Sequence, residues 1–145
     1  MKDERIAGDR LQQQIAFVLE LDKLKSVHRV TELLHEDRRE NAAEHSWHVA
    51  LLALVLRDYC REPINFERVL SLLLLHDSVE IYAGDTYVYD PHAVAQQQSR
   101  ESAAAEQLFA LLPADQRSYC AELFEEFNAG QTPEARYAQA MVLST

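Results

Sequence analysis

Turn-forming residues are scarce in this sequence, which contains 3 glycines and 4 prolines in 145 residues. Sheet-rich folds need more turn residues than that, so the scarcity favours a helical protein. Apolar residues make up 48% of the chain, which is enough to bury a real core and excludes a mainly disordered chain. The length suits one core, and we therefore expect residues 1–145 to form a single domain.

Basic residues are also few: 14 Lys and Arg stand against 24 Asp and Glu, for a net charge of -10. Such an acidic surface repels nucleic acid and anionic lipid, so neither is an expected partner. An anionic substrate is still compatible with this charge if the few basic residues gather at one cleft. The acidic pair Glu125–Glu126 is expected on a solvated helix face.

Long apolar runs are absent, and none approaches the roughly 18 residues that a membrane-spanning helix needs. The first residues are too polar for a signal peptide. The two cysteines, Cys60 and Cys120, fit neither a metal-binding spacing nor a disulfide framework. We expect both to be buried, reduced thiols and the protein to be cytoplasmic.

Helical periodicity is present along most of the chain and predicts an all-α bundle with no strand. Asn65 and Thr132 are predicted N-caps, and Gly84 is a predicted helix end. A short helical turn is expected at 31–34. The six predicted helices cover 10–25, 42–61, 66–83, 93–112, 114–129 and 133 to the C-terminus.

The apolar faces of these helices predict the core. In the first helix, apolar residues recur at helical spacing from Leu11 through Ile15 and Val18. In the second, the predicted core face carries Trp47, Leu51, Leu54 and Val55. The third is apolar from Val69 to Leu75, so we expect it to be central and buried.

A His-Asp pair, His76-Asp77, directly follows four leucines in the third helix. Burying a charged Asp without a partner costs several kcal/mol, so something must compensate for it. A divalent cation would do so, because it accepts carboxylate oxygen and imidazole nitrogen together. The alternative is a core histidine that is bonded to a neighbouring carboxylate.

His45 is the expected partner of this pair, because antiparallel neighbouring helices bring the start of one beside the end of the next. Glu80 lies one turn after the pair, Asp85 follows Gly84, and Glu44 precedes His45. A carboxylate near a metal serves as a general base or acid. His48, three residues after His45, is expected to be structural or exposed.

Four basic residues precede the first of these histidines: Lys25, Arg29, Arg38 and Arg39. Arginine matches the geometry of phosphate with two parallel hydrogen bonds. These residues therefore predict a phosphate-binding cleft. The alternative for any one of them is an ordinary solvated surface charge.

Three segments resemble the HD superfamily of metal-dependent phosphohydrolases, in particular its branch of 5'-nucleotidases and bacterial 5'-deoxynucleotidases. Residues 39–47 are similar to the first metal motif, residues 76–86 to the second, and residues 24–29 to an upstream phosphate-contacting segment. The second motif, H-D-x-x-E-x-x-x-G-D, is the specific one. The resemblance implies a helical HD-type bundle that holds one divalent metal ion.

The resemblance also implies roles for individual residues and a substrate. Metal ligands would be His45, His76 and Asp77; Glu80 and Asp85 would be catalytic; Arg29 and Arg38 would bind substrate phosphate. The implied activity is that of a phosphomonoesterase acting on nucleoside 5'-monophosphates or similar small phosphate esters.

One position departs from the family pattern. Residues 134–141 follow the segment that leads to a fourth ligand, an Asp, but Val142 stands where that Asp is expected. The chain ends at Thr145 while relatives continue, so we expect a domain that is truncated at its C-terminal end. The alternative function is a catalytically impaired nucleotide-binding or scaffold protein that lacks the fourth ligand.

A homodimer is the expected assembly, because the helical segments 50–56 and 69–75 are apolar on more than one face. The resembled family also tends to dimerise. The alternative is that both helices are central, with every apolar face covered inside one subunit.

Overall fold

The structure, a computed structural model, describes residues 2–83 and 91–145 and consists mainly of helices. Six helices have eleven residues or more, so the prediction of an all-α bundle is confirmed. Two 3₁₀ turns, Leu21–Ser26 and Arg57–Tyr59, follow α1 and α2. The elements are α1 Lys2–Glu20, β1 His28–Glu32, β2 Arg39–Asn41, α2 Ala42–Val55, α3 Phe66–His76, α4 Glu80–Ala83, α5 Pro91–Phe109, α6 Ala114–Ala129 and α7 Pro133–Leu143. Across the described ranges, no helix combines the length and apolarity that crossing a membrane requires.

A two-stranded antiparallel hairpin precedes α2, and here the prediction of a strand-free chain with a helical turn at 31–34 is wrong. β1 pairs with β2, with His28 opposite Asn41 and Glu32 opposite Arg39. The backbone N–H of Ala42 donates to the carbonyl of Val27 at 2.8 Å, which ties the hairpin to the start of α2. The hairpin therefore places β1 beside the first turn of that helix.

The second helix buries a different face from the one that the sequence predicted. Asn41 caps its start through a capping box with Glu44, and the helix ends at Val55 rather than at 61. Trp47 is 65% exposed, and the other three residues of the predicted core face are exposed as well. The buried face is Ala42, His45, Ser46, Val49 and Ala53. Its small residues allow the neighbouring helices to approach closely.

The third helix is capped by Asn65, as predicted, but it ends at His76 rather than continuing to 83. The hydroxyl of Ser78 donates to the carbonyl of Leu75 at 2.7 Å, and the Glu80 N–H donates to the carbonyl of Asp77 at 3.1 Å. These i to i−3 bonds tighten the chain into a turn before α4. The predicted helix end at Gly84 lies outside the described residues.

Two hydrophobic clusters form the core. One lies among α2, α3, α6 and α7 and includes Val49, Leu72, Leu73 and Leu123. The other joins Phe17 of α1 to the segment before α4 and to α5 and α6. The predicted start of α7 is confirmed, since Thr132 caps it through the Ala135 N–H. The predicted apolar face of the first helix is only partly in the core: Phe17 is buried, whereas Leu11, Ile15 and Val18 are about half or more exposed.

Candidate metal centre

His45, His76 and Asp77 converge where α2 begins and α3 ends. Each offers a ligand atom, and these atoms lie within 4.8 Å of one another. All three residues are buried, with exposed fractions of 2%, 8% and 8%. The convergence that we predicted from the His-Asp pair and His45 is therefore present.

The two imidazole rings are oriented by acceptors at their Nδ1 atoms. Nδ1 of His45 lies 3.2 Å from a carboxylate oxygen of Glu40, and Nδ1 of His76 hydrogen-bonds with the carbonyl of Leu73. A carbonyl or carboxylate can only accept, so these contacts place the proton of each neutral ring on Nδ1. Each Nε2 atom is then left with a lone pair.

Both Nε2 atoms point to the same oxygen of Asp77. The Asp77 Oδ2 atom lies 3.6 Å from Nε2 of His45 and 3.2 Å from Nε2 of His76. Both nitrogens are buried, and neither makes a hydrogen bond within the described part of the chain. If these were core histidines that only hydrogen-bond to a carboxylate, one of the Nε2 atoms would donate a hydrogen bond to Asp77. Two lone pairs and a carboxylate oxygen at one point instead fit a divalent cation.

The charge states of these groups also suit a metal. Burial, assisted by the charge of Arg29, lowers the pKa of His45 to about 4, so its ring is neutral near pH 7. Burial alone would raise the pKa of Asp77, but His76, His45 and Arg29 outweigh it and lower the pKa to about 2. A neutral imidazole and an ionised carboxylate are the forms that bind a cation.

The two arginines predicted to bind phosphate are placed differently. Arg29, in β1, is largely buried: its Nη1 lies 3.1 Å from Asp77 Oδ2, and its Nε lies 3.5 Å from Glu40 Oε1. We call Arg29, Glu40, His45, His76 and Asp77 the inner network.

Arg38, just before β2, belongs to a separate set of charges at the surface. It is 49% exposed and pairs with Glu36 at 3.0 Å and with Glu44 at 2.5 Å. We call Arg38, Glu36 and Glu44 the outer network. Glu44 thus combines this ion pair with the capping of α2.

Of the two predicted catalytic carboxylates, the structure describes only Glu80. Glu80 begins α4, is partly shielded from solvent, and follows Asp77 by one tight turn. Asp85 lies outside the described residues. His48 is exposed and stacks on Trp47, as expected for a histidine that is not a metal ligand. Cys60 and Cys120 are free thiols but are only half-buried.

Glu40 is the one member of the inner network that the sequence prediction missed. Its side chain is 14% exposed, and one of its oxygens faces both Arg29 and His45. The signal was its position in the motif of residues 39–47, five residues before His45. Glu40 also lines a cavity of about 630 Å³ beside the inner network, together with residues such as Leu33, His48 and Leu52.

Comparison with known proteins agrees with this geometry. The chain is similar to the human protein named 5'-deoxynucleotidase HDDC2, at 28% identity over 93% of this chain and 65% of that protein. It is 30% identical to a 5'-deoxynucleotidase of Erwinia tasmaniensis, over 88% of this chain and 68% of the relative. The chain thus spans between half and about two thirds of the length of the curated relatives it matches.

Solved structures and a family model extend the comparison. A crystal structure from Magnetospirillum magnetotacticum MS-1, described as a predicted metal-dependent phosphohydrolase, superposes with a TM-score of 0.86 at 46% identity, over 92% of this chain and 67% of that one. The family model described as HD domain matches residues 21–142. The match covers most of the chain, including the whole inner network, and the chain therefore belongs to the HD domain family.

Proposed function

We propose that the chain is a metal-dependent phosphohydrolase that acts on nucleoside 5'-monophosphates or similar small phosphate esters. One observation carries the proposal: two buried imidazole nitrogens without hydrogen bonds face one carboxylate oxygen, and a shielded arginine lies against the same oxygen. The relatives that carry the name 5'-deoxynucleotidase support the choice of substrate class.

His45, His76 and Asp77 would hold one divalent cation, which supplies Lewis-acid chemistry toward a phosphate ester. Arg29 would bind the phosphate oxygens and neutralise their charge. Glu80 or Asp85 would orient the attacking water and give a proton to the leaving oxygen. In the reaction a bond forms between water oxygen and phosphorus, the ester P–O bond breaks, and the released alcohol takes up the proton.

The cavity beside Glu40 suits the rest of such a substrate. Its volume of about 630 Å³ and its mixture of apolar and polar walls fall within the range of small-molecule sites. We propose that the nucleoside occupies this cavity while the phosphate reaches the inner network. Arg38, in the outer network, remains a proposed second phosphate contact.

Val142 is proposed to stand at the position of a fourth ligand. It lies near the end of α7, half-buried against the cluster among α2, α3, α6 and α7. Three protein ligands suffice to hold a catalytic metal, so the proposal includes turnover with a weakened metal site. A non-catalytic scaffold is the less favoured alternative, because the relatives named above carry enzyme names.

The direct test is hydrolysis of a panel of nucleoside monophosphates by purified protein supplied with Co²⁺, Mn²⁺ or Mg²⁺. We expect metal-dependent release of inorganic phosphate, and we expect Glu80→Ala to abolish turnover while leaving substrate binding intact. Glu125→Ala, which alters an exposed carboxylate of α6, is the matched control. Full activity of Glu80→Ala would move the catalytic role to Asp85 or refute the mechanism.

We also propose a cytoplasmic homodimer. Exposed apolar residues lie on several helices, including Ile15 and Val18 of α1, Leu54 of α2 and Leu74 of α3. Monomers rarely expose large apolar patches, and a twofold dimer is the commonest assembly that buries them. Light scattering at micromolar concentration should give about twice 16.6 kDa, and a mass near 16.6 kDa would rule the dimer out.

A further inference from the structure

We propose that Glu40 is a positioning residue that holds His45 for the metal and Arg29 for the phosphate. The inference rests on the proposed function, because it assigns His45 and Arg29 the roles given there. It adds a residue that binds neither the ion nor the phosphate itself but sets the orientation of the two groups that do.

The geometry places one oxygen atom between the two groups. Oε1 of Glu40 lies 3.2 Å from Nδ1 of His45 and 3.5 Å from Nε of Arg29. All three side chains are shielded from solvent, with exposed fractions of 14%, 3% and 21%. In such surroundings these contacts are stronger than at the surface, because water does not compete for them.

The backbone around Glu40 fixes this oxygen in place. Glu40 lies in the middle of β2, and its neighbour Asn41 both pairs with His28 and caps α2. The side chain therefore projects from a strand that is held on one side by β1 and on the other by the helix that carries His45. The carboxylate is positioned by the same elements that it connects.

The chemistry differs for the two partners. Toward His45, a carboxylate accepts the Nδ1 proton, which keeps the lone pair on Nε2 and makes the ring a better ligand. Toward Arg29, the negative charge attracts the guanidinium in an ion pair at 3.5 Å from Nε, without a hydrogen bond, while Nη1 donates to Asp77. A neutral amide could accept the His45 proton but could not supply this charge. Glutamine at this position should therefore separate the two effects.

The first experiment measures metal binding and the His45 tautomer in Glu40→Ala and Glu40→Gln. Co²⁺ titration should show an affinity about 10- to 100-fold weaker for Glu40→Ala, the usual loss for such an outer partner. In metal-free protein, ¹⁵N NMR should show the His45 proton moving from Nδ1 toward Nε2. Glu40→Gln should keep the Nδ1 proton and most of the Co²⁺ affinity.

The matched control is Glu36→Ala, which removes a carboxylate of the outer network from the same hairpin. We expect its Co²⁺ affinity and its His45 tautomer to equal those of the wild type. A Glu40→Ala protein with wild-type Co²⁺ affinity and an unchanged tautomer would overturn the assignment to His45.

The second experiment is a double-mutant cycle with inorganic phosphate as the probe, on Co²⁺-loaded protein. Arg29→Ala should weaken phosphate binding, and that loss should be at least about threefold smaller in the Glu40→Gln background, since the arginine there has already lost its anchor. Subtracting the single variants removes the general effect of one negative charge near an anion. Additive losses would overturn the assignment to Arg29.

The cycle also covers the case in which Glu40→Ala does not fold, as judged by circular dichroism. Glu40→Gln keeps the shape of the side chain and then carries the test of the Arg29 assignment, while Glu40→Met, of similar length but without a carboxylate, carries the tautomer and Co²⁺ tests of the His45 assignment. Failure of the proposed function is distinguishable: a wild-type protein that hydrolyses no nucleotide, yet shows these losses in binding, would refute the hydrolase and leave the role of Glu40 standing. The tautomer measurement needs no metal at all.

Discussion

Arg29 and Arg38 belong to the same hairpin but lie in opposite electrostatic environments. Arg29 is 21% exposed and contacts two shielded carboxylates, whereas Arg38 is 49% exposed and contacts two carboxylates at the surface. Exposed ion pairs contribute about 0–1 kcal/mol to stability, so the outer network is easily replaced. Burying the charges of the inner network costs several kcal/mol per ion, so a contribution to stability does not explain why these charges are buried. The inner network is therefore the part of the hairpin that is organised for binding.

The largest expected effect is the loss of metal binding on removing the inner carboxylate. Asp77→Asn takes away the carboxylate charge that both histidine Nε2 atoms face. We expect at least about 100-fold weaker Co²⁺ binding in a calorimetric titration, because even outer partners of a metal site cost 10- to 100-fold. Glu36→Gln, the same change in the outer network, should stay within about twofold of the wild type. Equal losses in both variants would erase the distinction between the networks.

The second effect separates the two arginines directly. Arg29→Ala should lower kcat/KM for a deoxynucleoside monophosphate by about 10- to 150-fold, because it removes hydrogen bonds from a charged donor worth roughly 1.5–3 kcal/mol. Arg38→Ala should lower kcat/KM by less than about threefold, since a phosphate contact from its exposed position is weak. A loss for Arg38→Ala as large as that for Arg29→Ala would show that the exposed arginine binds the phosphate as strongly as the shielded one.

Adding a carboxylate at position 142 should strengthen metal binding by the inner network. Val142→Asp is expected to tighten Co²⁺ binding by about 10-fold or more if this position is that of the fourth ligand. Val142→Asn, with the same shape but no charge, is the control and should not improve binding. Equal Co²⁺ affinity in the wild type and Val142→Asp would show that another group already completes the site.

The smallest expected change in metal binding comes from a shielded ion pair outside both networks, between α3 and α6. Arg68 Nε donates to Glu126 at 2.8 Å, and the glutamate is only 12% exposed, so the expectation of a solvated Glu125–Glu126 pair is wrong for Glu126. Glu126→Gln should cost about 1.5–3 kcal/mol in urea unfolding at neutral pH. It should leave Co²⁺ affinity unchanged, because no histidine adjoins the pair among its described contacts.

This pair also predicts a dependence of stability on pH. The hydrogen bond from Arg68 lowers the pKa of Glu126 below its ordinary value of 4.5 in the folded protein. Its contribution is therefore present above pH 4.5 and is lost as the pH falls through the lower, folded-state pKa. The difference in unfolding free energy between wild type and Glu126→Gln should shrink accordingly, and a constant difference down to about pH 3 would contradict this.

The metal site was predictable because its signal is local and chemically unusual. A His-Asp pair after four leucines required compensation, and the structure places His45 beside it. Glu40 was not predictable on the same grounds, since a glutamate beside an arginine in a polar segment usually lies in solvent. Its role depends on the pairing of β1 with β2, and strands this short carry too few residues to establish a period of two.

The buried face of α2 shows a second limit of sequence patterns. The helix is apolar on most sides, so periodicity alone does not say which side faces inward. The large residues, Trp47 among them, face outward, and the small residues Ala42, Ser46 and Ala53 are buried. The end of α3 at His76 was missed for a related reason. Apolar residues continue at helical spacing after His76, so the sequence does not reveal the tight turn there.

Every member of the inner network lies between residues 29 and 77, although α6 and α7 complete the core beneath it. Bringing these groups together closes comparatively short loops, and the entropy lost on closure grows with loop length. During synthesis the ribosome releases this segment before the helices that cover it. All five groups of the inner network therefore leave the ribosome before the helices that complete the core beneath them.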